Sequence, residues 1–393
     1  MCERSYLNDI MVGILLVAAY LRLSHLNWDQ GTHIHPDERF LTMVSDALRL
    51  PKSLGEFFDS TKSPMSPYNK GYNFFVYGTL PLFIVRVGGE IANGFNQAVQ
   101  LWVNDGGAAL NLVGYDGIHL VGRALSGLFD LGCVFLAFVI GRRLYGRQVG
   151  LLAATLYAFA VLPLQQSHFY TVDTFGSFFA LLAFYCAVRV AQGGEHGRRD
   201  GGWESYVGLG ASLGASLACR INLAPLAGIA VLAAGIRLWD DWHNTAAGTG
   251  AEAETISNLN LRPSGVPARS QAAWFSTLLQ ATLFRLMLMG IVTIAVFRIA
   301  QPYAFGGTSL LDFSLAPKFR DNMAQISQLI RGDADYPPGH QWASRTPFVF
   351  PFVNMVVWGL GLPLGLTAWA GWALAVFQVA RGVTRRPGDR VTG

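Results

Sequence analysis

Thr32-His33-Ile34-His35-Pro36-Asp37-Glu38-Arg39-Phe40 is the stretch on which the reading of this chain turns. It follows the first hydrophobic run, Ile10 to Leu21, and precedes a short amphipathic segment. Two neighbouring carboxylates, flanked by His33, His35 and Arg39, therefore stand where a membrane surface is expected. Two readings are open. In one, Asp37 caps a helix whose first turn carries Glu38, where carboxylates satisfy free N–H groups and complement the helix dipole. In the other, the pair carries catalysis at a membrane–water boundary.

Working outward, composition puts the rest of the chain in a bilayer. Its 393 residues are 52% hydrophobic and only 14% charged, with mean hydropathy +0.33. A soluble domain carries about 25% charged residues, so this chain cannot cover itself with polar surface. A net charge of +4 suits basic loops on the inner face. No basic stripe with interleaved aromatics points to nucleic acid. Cys2, Cys133, Cys186 and Cys219 form no CxxC and pair with no His at metal-ligand spacing. The last three lie in or at the end of hydrophobic segments and read as small apolar core residues.

The first span is expected at Asn8 to His25, uncleaved because no small-residue cleavage site precedes His25. Phe40, Val44, Ala47 and Leu48 then recur at helical spacing, with Asp46 and Arg49 opposite. They predict a helix lying in the interface or packed on protein. Pro51 to Gly71 reads as loop. Asn73 to Val87 is apolar but short and holds Pro81 and Arg86; an interfacial helix is expected around Ile91 to Val103. Further spans are expected near Ile118 to Ile140, Val149 to Pro163, Val172 to Ala191, Tyr206 to Ala218, Leu223 to Leu238, Trp274 to Ile299 and Pro347 to Val379. The last is expected to kink or break at Pro363. Asp240 to Ser270 reads as a flexible polar loop, and Gly306 to Arg345 as polar with helical character near Asn322 to Ile330. The fold class is thus all-α, a polytopic bundle of about eight spans. Its expected parts are residues 1–305, with a long outer loop at 26–117, an outer loop at 306–346, and a terminal span with a basic tail at 347–393.

The basic loops set the orientation. Arg142-Arg143 to Arg147, Arg198-Arg199, Arg237 and the Arg-rich tail should face the cytoplasm. The span order alternates if the N-terminus is inside, if Asn73 to Val87 does not cross, and if Pro347 to Val379 crosses once. Asp37-Glu38, Ser167-His168 to Asp173, Arg220-Ile221-Asn222 and Gln301-Pro302-Tyr303 then share the outer face.

Each of these residues has a plain reading beside a functional one. Neighbouring carboxylates can divide roles, one as a base within reach of an acceptor proton, one holding a cation or the acceptor. Arg123, with Asp130 seven residues on along the same helix face, is either a snorkelling or self-paired residue or a bidentate phosphate holder. Asp173 heads an apolar helix as its cap, or else positions a cation or sugar hydroxyl. Arg220 and Asn222 keep a tight turn wet, Tyr303 suits an aromatic belt, and Lys70 is an ordinary interfacial lysine before Phe74-Phe75.

Taken together, the residues resemble the GT-C class of integral-membrane glycosyltransferases, in the branch of protein O-mannosyltransferases and bacterial enzymes that decorate lipid A. His35-Pro36-Asp37-Glu38-Arg39-Phe40 is similar to that family's outer-loop Asp-Glu motif. Lys70-Gly71-Tyr72-Asn73-Phe74-Phe75 stands where the family has Lys-Pro-Pro-Leu and aromatics, but lacks the two prolines. Arg123-Ala124-Leu125-Ser126 resembles the family's Arg-Leu-x-Ser helix start, Arg142-Arg143-Leu144-Tyr145-Gly146-Arg147 its Arg-Arg-Leu-Phe-Gly turn, and Pro163, Ser167-His168 and Asp173 its second outer loop. The resemblance covers Leu7 to Phe305. The chain stops after one more hydrophobic stretch and is expected to be short or incomplete beside the family.

The resemblance implies a sugar donor on a polyprenyl phosphate, a lipid, glycan or protein acceptor, and a single displacement with inversion. It implies an integral protein of the bacterial cytoplasmic membrane with its site facing outward. Asp37 would be the base, with Glu38 and Asp173 supporting it or sharing a divalent cation. Arg123, Arg220, Arg298 and Lys70 would hold the donor phosphate, with His35, His168 and Tyr303 nearby. A transporter or lipid flippase is the rival reading, and would show charges near the midplane and an internal repeat. Asp130 favours it slightly; no repeat is visible. A non-catalytic assembly subunit is the third.

Overall fold

The computed structural model describes residues 2–103, 111–193, 202–246, 268–335, 337–340 and 344–381. Apolar runs of this length have no water to satisfy their backbone, so they bond internally as helices. The first helices are α1 (Cys2–Leu23), α2 (Pro36–Ala47), the short α3 (Leu54–Phe58), α4 (Leu80–Val103), α5 (Tyr115–Tyr145), α6 (Arg147–Ala158) and α7 (Val161–Gln166). Then come α8 (Asp173–Gln192), α9 (Trp203–Cys219), α10 (Ala227–Ala246), α11 (Ala268–Ala300), α12 (Pro317–Arg331), α13 (Pro337–His340), α14 (Val349–Val353) and α15 (Leu362–Ala380). The architecture is all-α and polytopic.

Among the described residues six helices are long and apolar enough to cross a membrane: Tyr6–Leu23, Tyr115–Tyr145, Asp173–Gln192, Ile221–His243, Trp274–Ala300 and Leu362–Ala380. The expected span at 149–163 is instead two helices, α6 and α7, parted at Phe159 and Ala160. At 1.5 Å per residue, the 12 residues of α6 reach about 18 Å, short of the roughly 30 Å hydrocarbon layer. The expected span at 206–218 is the 17-residue α9. Asn73 to Thr79 is not helical. The apolar run enters α4 only at Leu80 and continues unbroken to Val103, where a separate interfacial helix was expected. The terminal hydrophobic stretch breaks at Gly361, whose φ of 83° is left-handed. Pro363 lies in the first turn beyond the break, where its ring costs no hydrogen bond.

The chain forms two compact units. One comprises Met1–Phe178, Ala218–Ile221 and Arg298–Gly393; the other comprises Phe179–Leu217 and Asn222–Phe297. In the first, Met11 and Ala18 of α1 meet Val134 and Phe138 of α5 and Leu151, Ala154 and Ala158 of α6 in one buried cluster. In the second, Ala183, Cys186 and Ala187 pack with Tyr206, Leu209, Ala230, Ala233 and Met289. Small residues let helices approach closely where lipid gives no hydrophobic drive between them. Thr293 Oγ1 donates to the Gly210 carbonyl across that contact. Cys133, Cys186 and Cys219 are buried and unpaired by disulfide, as small core residues.

Candidate active site

The site begins with the cap of α2. His35 is the N-cap, extended at φ −79° and ψ 120°, and its Nδ1 accepts the Glu38 N–H at 3.3 Å. Pro36 takes the first helical position, where a missing N–H costs nothing. The cap expected of Asp37 is therefore made by His35. Asp37 and Glu38 are consecutive on a helix, so their side chains diverge by about 100°. Glu38, Leu41, Thr42 and Ser45 form the buried face. Asp37 stays half-buried on another.

Glu38 is fully buried and bound to Arg123 through two parallel bonds: Nε to Oε1 and Nη2 to Oε2, both 2.7 Å. Its Oε1 also accepts the Tyr170 N–H at 2.8 Å. The other edge of Arg123 grips Asp29, Nη1 to Oδ1 at 2.8 Å and Nη2 to Oδ2 at 2.9 Å, while Nη1 also donates to the Leu26 carbonyl at 2.7 Å. A guanidinium has five N–H donors, and all five are used. Trp28 covers the Arg123 head at 5.3 Å. The Arg123 guanidinium bonded to Asp29 holds that carboxyl well below its ordinary range. Asp29 also takes the Gly31 and His33 N–H groups. These bonds hold the left-handed residues Gln30 (φ 52°) and His33 (φ 50°) in the turn before α2.

Two sequence readings are corrected here. Arg123 has no donor left for a phosphate; it ties the turn at Asp29 and the start of α2 to α5. Nor does it pair with Asp130. That carboxylate bonds Arg22 of α1 at 2.7 Å and the Tyr157 hydroxyl at 2.9 Å.

Asp37 faces a different set of groups. The loop ahead of α4 brings Tyr77 to it, and Phe40, three residues along α2, packs against Tyr72, Phe75 and Tyr77 at 5.7, 6.2 and 6.0 Å. Burial pushes the Tyr77 phenol above its ordinary range, and the charge of Asp37 and a hydrogen bond to it push the same way. Arg220 and Asp173 act on the same phenol, in opposite senses. Asp173 opens α8 with its carboxylate bonded to Arg220; their side chains are 37% and 40% exposed. One backbone bond fixes the relation: the Gly78 N–H donates to the Cys219 carbonyl at 3.0 Å. A Cβ at Gly78 would lie 1.8 Å from the Ala218 carbonyl oxygen, so only glycine permits this approach. Asp37, Tyr77, Asp173 and Arg220 thus share one end of the first unit, part open to solvent.

The remaining candidates sit elsewhere. Lys70 is exposed at the end of the 3-10 turn Pro67–Lys70. Arg298 is buried between Phe58 and Phe305, at 5.5 and 5.0 Å, and donates to the Pro302 and Ser309 carbonyls. Tyr303 is no belt residue. It is buried, its hydroxyl pairs with Ser63 at 2.7 Å and donates to the Phe57 carbonyl at 3.1 Å. The His168 Nδ1 meets the Leu164 carbonyl at 3.0 Å and its own carbonyl accepts from Trp28 Nε1. Asp37, Glu38 and Asp173 do not fit a shared cation, because Glu38 is turned inward onto Arg123. Among the described residues no group of three His, Cys, Asp or Glu is placed to hold one.

Asp29, Tyr77, Tyr170 and Tyr157 escaped the sequence reading. Asp29 meets Arg123 across 94 residues and Tyr170 meets Glu38 across 132, separations that no local spacing encodes. Tyr77 had one signal, its place in the aromatic run after Lys70.

A family model described as dolichyl-phosphate-mannose-protein mannosyltransferase matches residues 102–248. That range holds α5, Asp173 and Arg220 but not Asp37. No curated protein matches the chain.

Proposed function

We propose that this chain, a membrane glycosyltransferase of GT-C type, takes a sugar from a polyprenyl-phosphate donor and passes it to a hydroxyl at the outer face, with Asp37 as base. The carrying observation is the separation of the two carboxylates: Glu38 is consumed by Arg123, while Asp37 stays half-buried beside Tyr77 and the Asp173–Arg220 pair.

The chemistry follows from that arrangement. Asp37 accepts the proton of the acceptor hydroxyl, and Tyr77 donates to Asp37 and orients it. The acceptor oxygen attacks the anomeric carbon as the bond from that carbon to the phosphate oxygen breaks. The electron pair leaves on the lipid phosphate. A single displacement of this kind inverts the anomeric centre. Arg220, paired with Asp173 and 40% exposed, is a guanidinium with part of its surface open, and it neutralises the departing phosphate. The donor's tail needs lipid, its phosphate needs a cation at the interface, and its acceptor comes from water; the partly exposed Arg220 supports the second of these.

Asp37→Asn keeps shape and removes the base. General-base catalysis contributes about 10²- to 10⁴-fold, so transfer should fall by that factor with folding intact. Mass analysis of products from a panel of polyprenyl-phosphate sugars makes the measurement. Transfer at a near-normal rate by Asp37→Asn would overturn the assignment.

A further inference from the structure

His33 and His119 form a buried pair that no step above uses. His33 lies in the turn before α2, and His119 is on α5 one turn ahead of Arg123. They are 2% and 1% exposed. Their rings meet edge to face at 4.3 Å, and Tyr115 packs on His33 at 4.5 Å. None of the four ring nitrogens has a hydrogen-bond partner. Buried polar atoms are nearly always partnered, and a buried imidazolium with two unmet N–H donors is costlier still. This packing therefore suits two neutral rings.

We infer that the pair is an acid-sensitive clasp on the turn leading into α2: a proton taken by either ring drives His33 out of its pocket and frees the turn. The surrounding groups set both halves of that behaviour. Arg123 faces the pair from α5, Glu38 from α2 and Asp29 from the turn. One guanidinium and two carboxylates leave an excess of one negative charge, which draws a proton in. Yet Asp29 takes Arg123 and the Gly31 and His33 N–H groups, and Glu38 takes Arg123 and the Tyr170 N–H. Neither carboxylate reaches a ring nitrogen. Arg39 of α2 donates to the His33 carbonyl, and Arg86 of α4 bonds Glu90 and the Ser45 and Val113 carbonyls. A proton is thus attracted to the pair but finds no acceptor there, so uptake and displacement go together. His119 is fixed in a helix. His33 sits at a left-handed φ of 50°, and opening the turn relieves that strain. His35, two residues on, caps α2, and Asp37 stands in the first turn behind it. The closed form prevails while both rings are neutral and is lost as pH falls through the range in which imidazole charges.

The test uses the full chain in nanodiscs, with a nitroxide on Ile34→Cys, exposed beside His33. Cys2→Ala leaves only buried native thiols. Between pH about 7.5 and about 5.5, where imidazole titrates, the label should pass from an immobile to a mobile spectrum. His33→Phe combined with His119→Phe keeps two packed rings and removes both protonation sites, so its label should stay immobile throughout. On the same acidification, transfer should fall at least about five-fold further in the parent than in the double variant, as the closed form becomes the minor one. An unchanged label spectrum in the parent overturns the inference, whether or not the double variant folds. A response that survives in the double variant also overturns it and assigns the titration to the partly exposed His35. The label reports without turnover, so a chain that shows the switch but transfers no sugar keeps the clasp and overturns the transferase reading.

Discussion

Asp37 and Glu38 differ by one position and by everything that surrounds them. Glu38 lies in a dry pocket where its charge is acceptable only because Arg123 and the Tyr170 N–H meet it. Removing one partner of such a pair leaves the other charged and buried, at about 3–5 kcal/mol. Glu38→Gln should therefore lower the unfolding temperature by several degrees in a thermal melt. Asp37→Asn, on the more open side, should leave it almost unmoved. Equal melts for the two variants would mean that Glu38 does not hold the fold. The pair thus separates stability from chemistry at adjacent residues, and a combined melt and transfer assay reads both.

At the scale of elements, what matters is where helices stop. α2 starts on His35, α8 starts on Asp173, and α9 ends at Cys219 just before Arg220. Each site residue is at or next to a helix end, where side chains reach across short gaps. The Gly78–Cys219 backbone bond joins the loop carrying Tyr77 to the turn carrying Arg220. Gly78→Ala puts a methyl group into backbone that cannot yield, an overpacking cost of about 1–3 kcal/mol. Transfer should fall at least about ten-fold. Gly94→Ala, where a Cβ meets nothing within 4 Å, is the control and should cost nothing. Similar activity in both variants would show that the strap does not position the site.

At the scale of the molecule, the length of α5 carries the orientation. Arg123 and Arg143 are twenty residues apart on it, about 30 Å at 1.5 Å per residue, which matches the hydrocarbon thickness. The carboxylate-rich end and the Arg142 to Arg147 turn thus belong to opposite faces. A cysteine at Gln148, exposed beside that turn, should react with an impermeant thiol reagent only from the cytoplasmic side. One at exposed Lys70 should react only from outside. Gln148→Cys labelled from outside would reverse the topology. The long apolar helices were legible because a bilayer imposes a length and a composition that any window of sequence shows. The broken α6–α7 pair was missed although its cause stands in the sequence: Pro163 has no N–H for the Phe159 carbonyl four residues back, and its ring crowds that carbonyl.

From the sequence alone came the membrane bundle, the polarity of its loops and the short list of acids and guanidinium groups. Hydropathy, charge and helical period are local quantities, and those properties follow from them. The tertiary structure alone decided which of these groups meet. Arg123 was readable as a phosphate holder until Asp29, Glu38 and the Leu26 carbonyl took all its donors, and Asp37 as a helix cap until His35 made the cap. Whether a charged side chain is free to act depends on which partners reach it, and those partners lie about a hundred residues away in the chain.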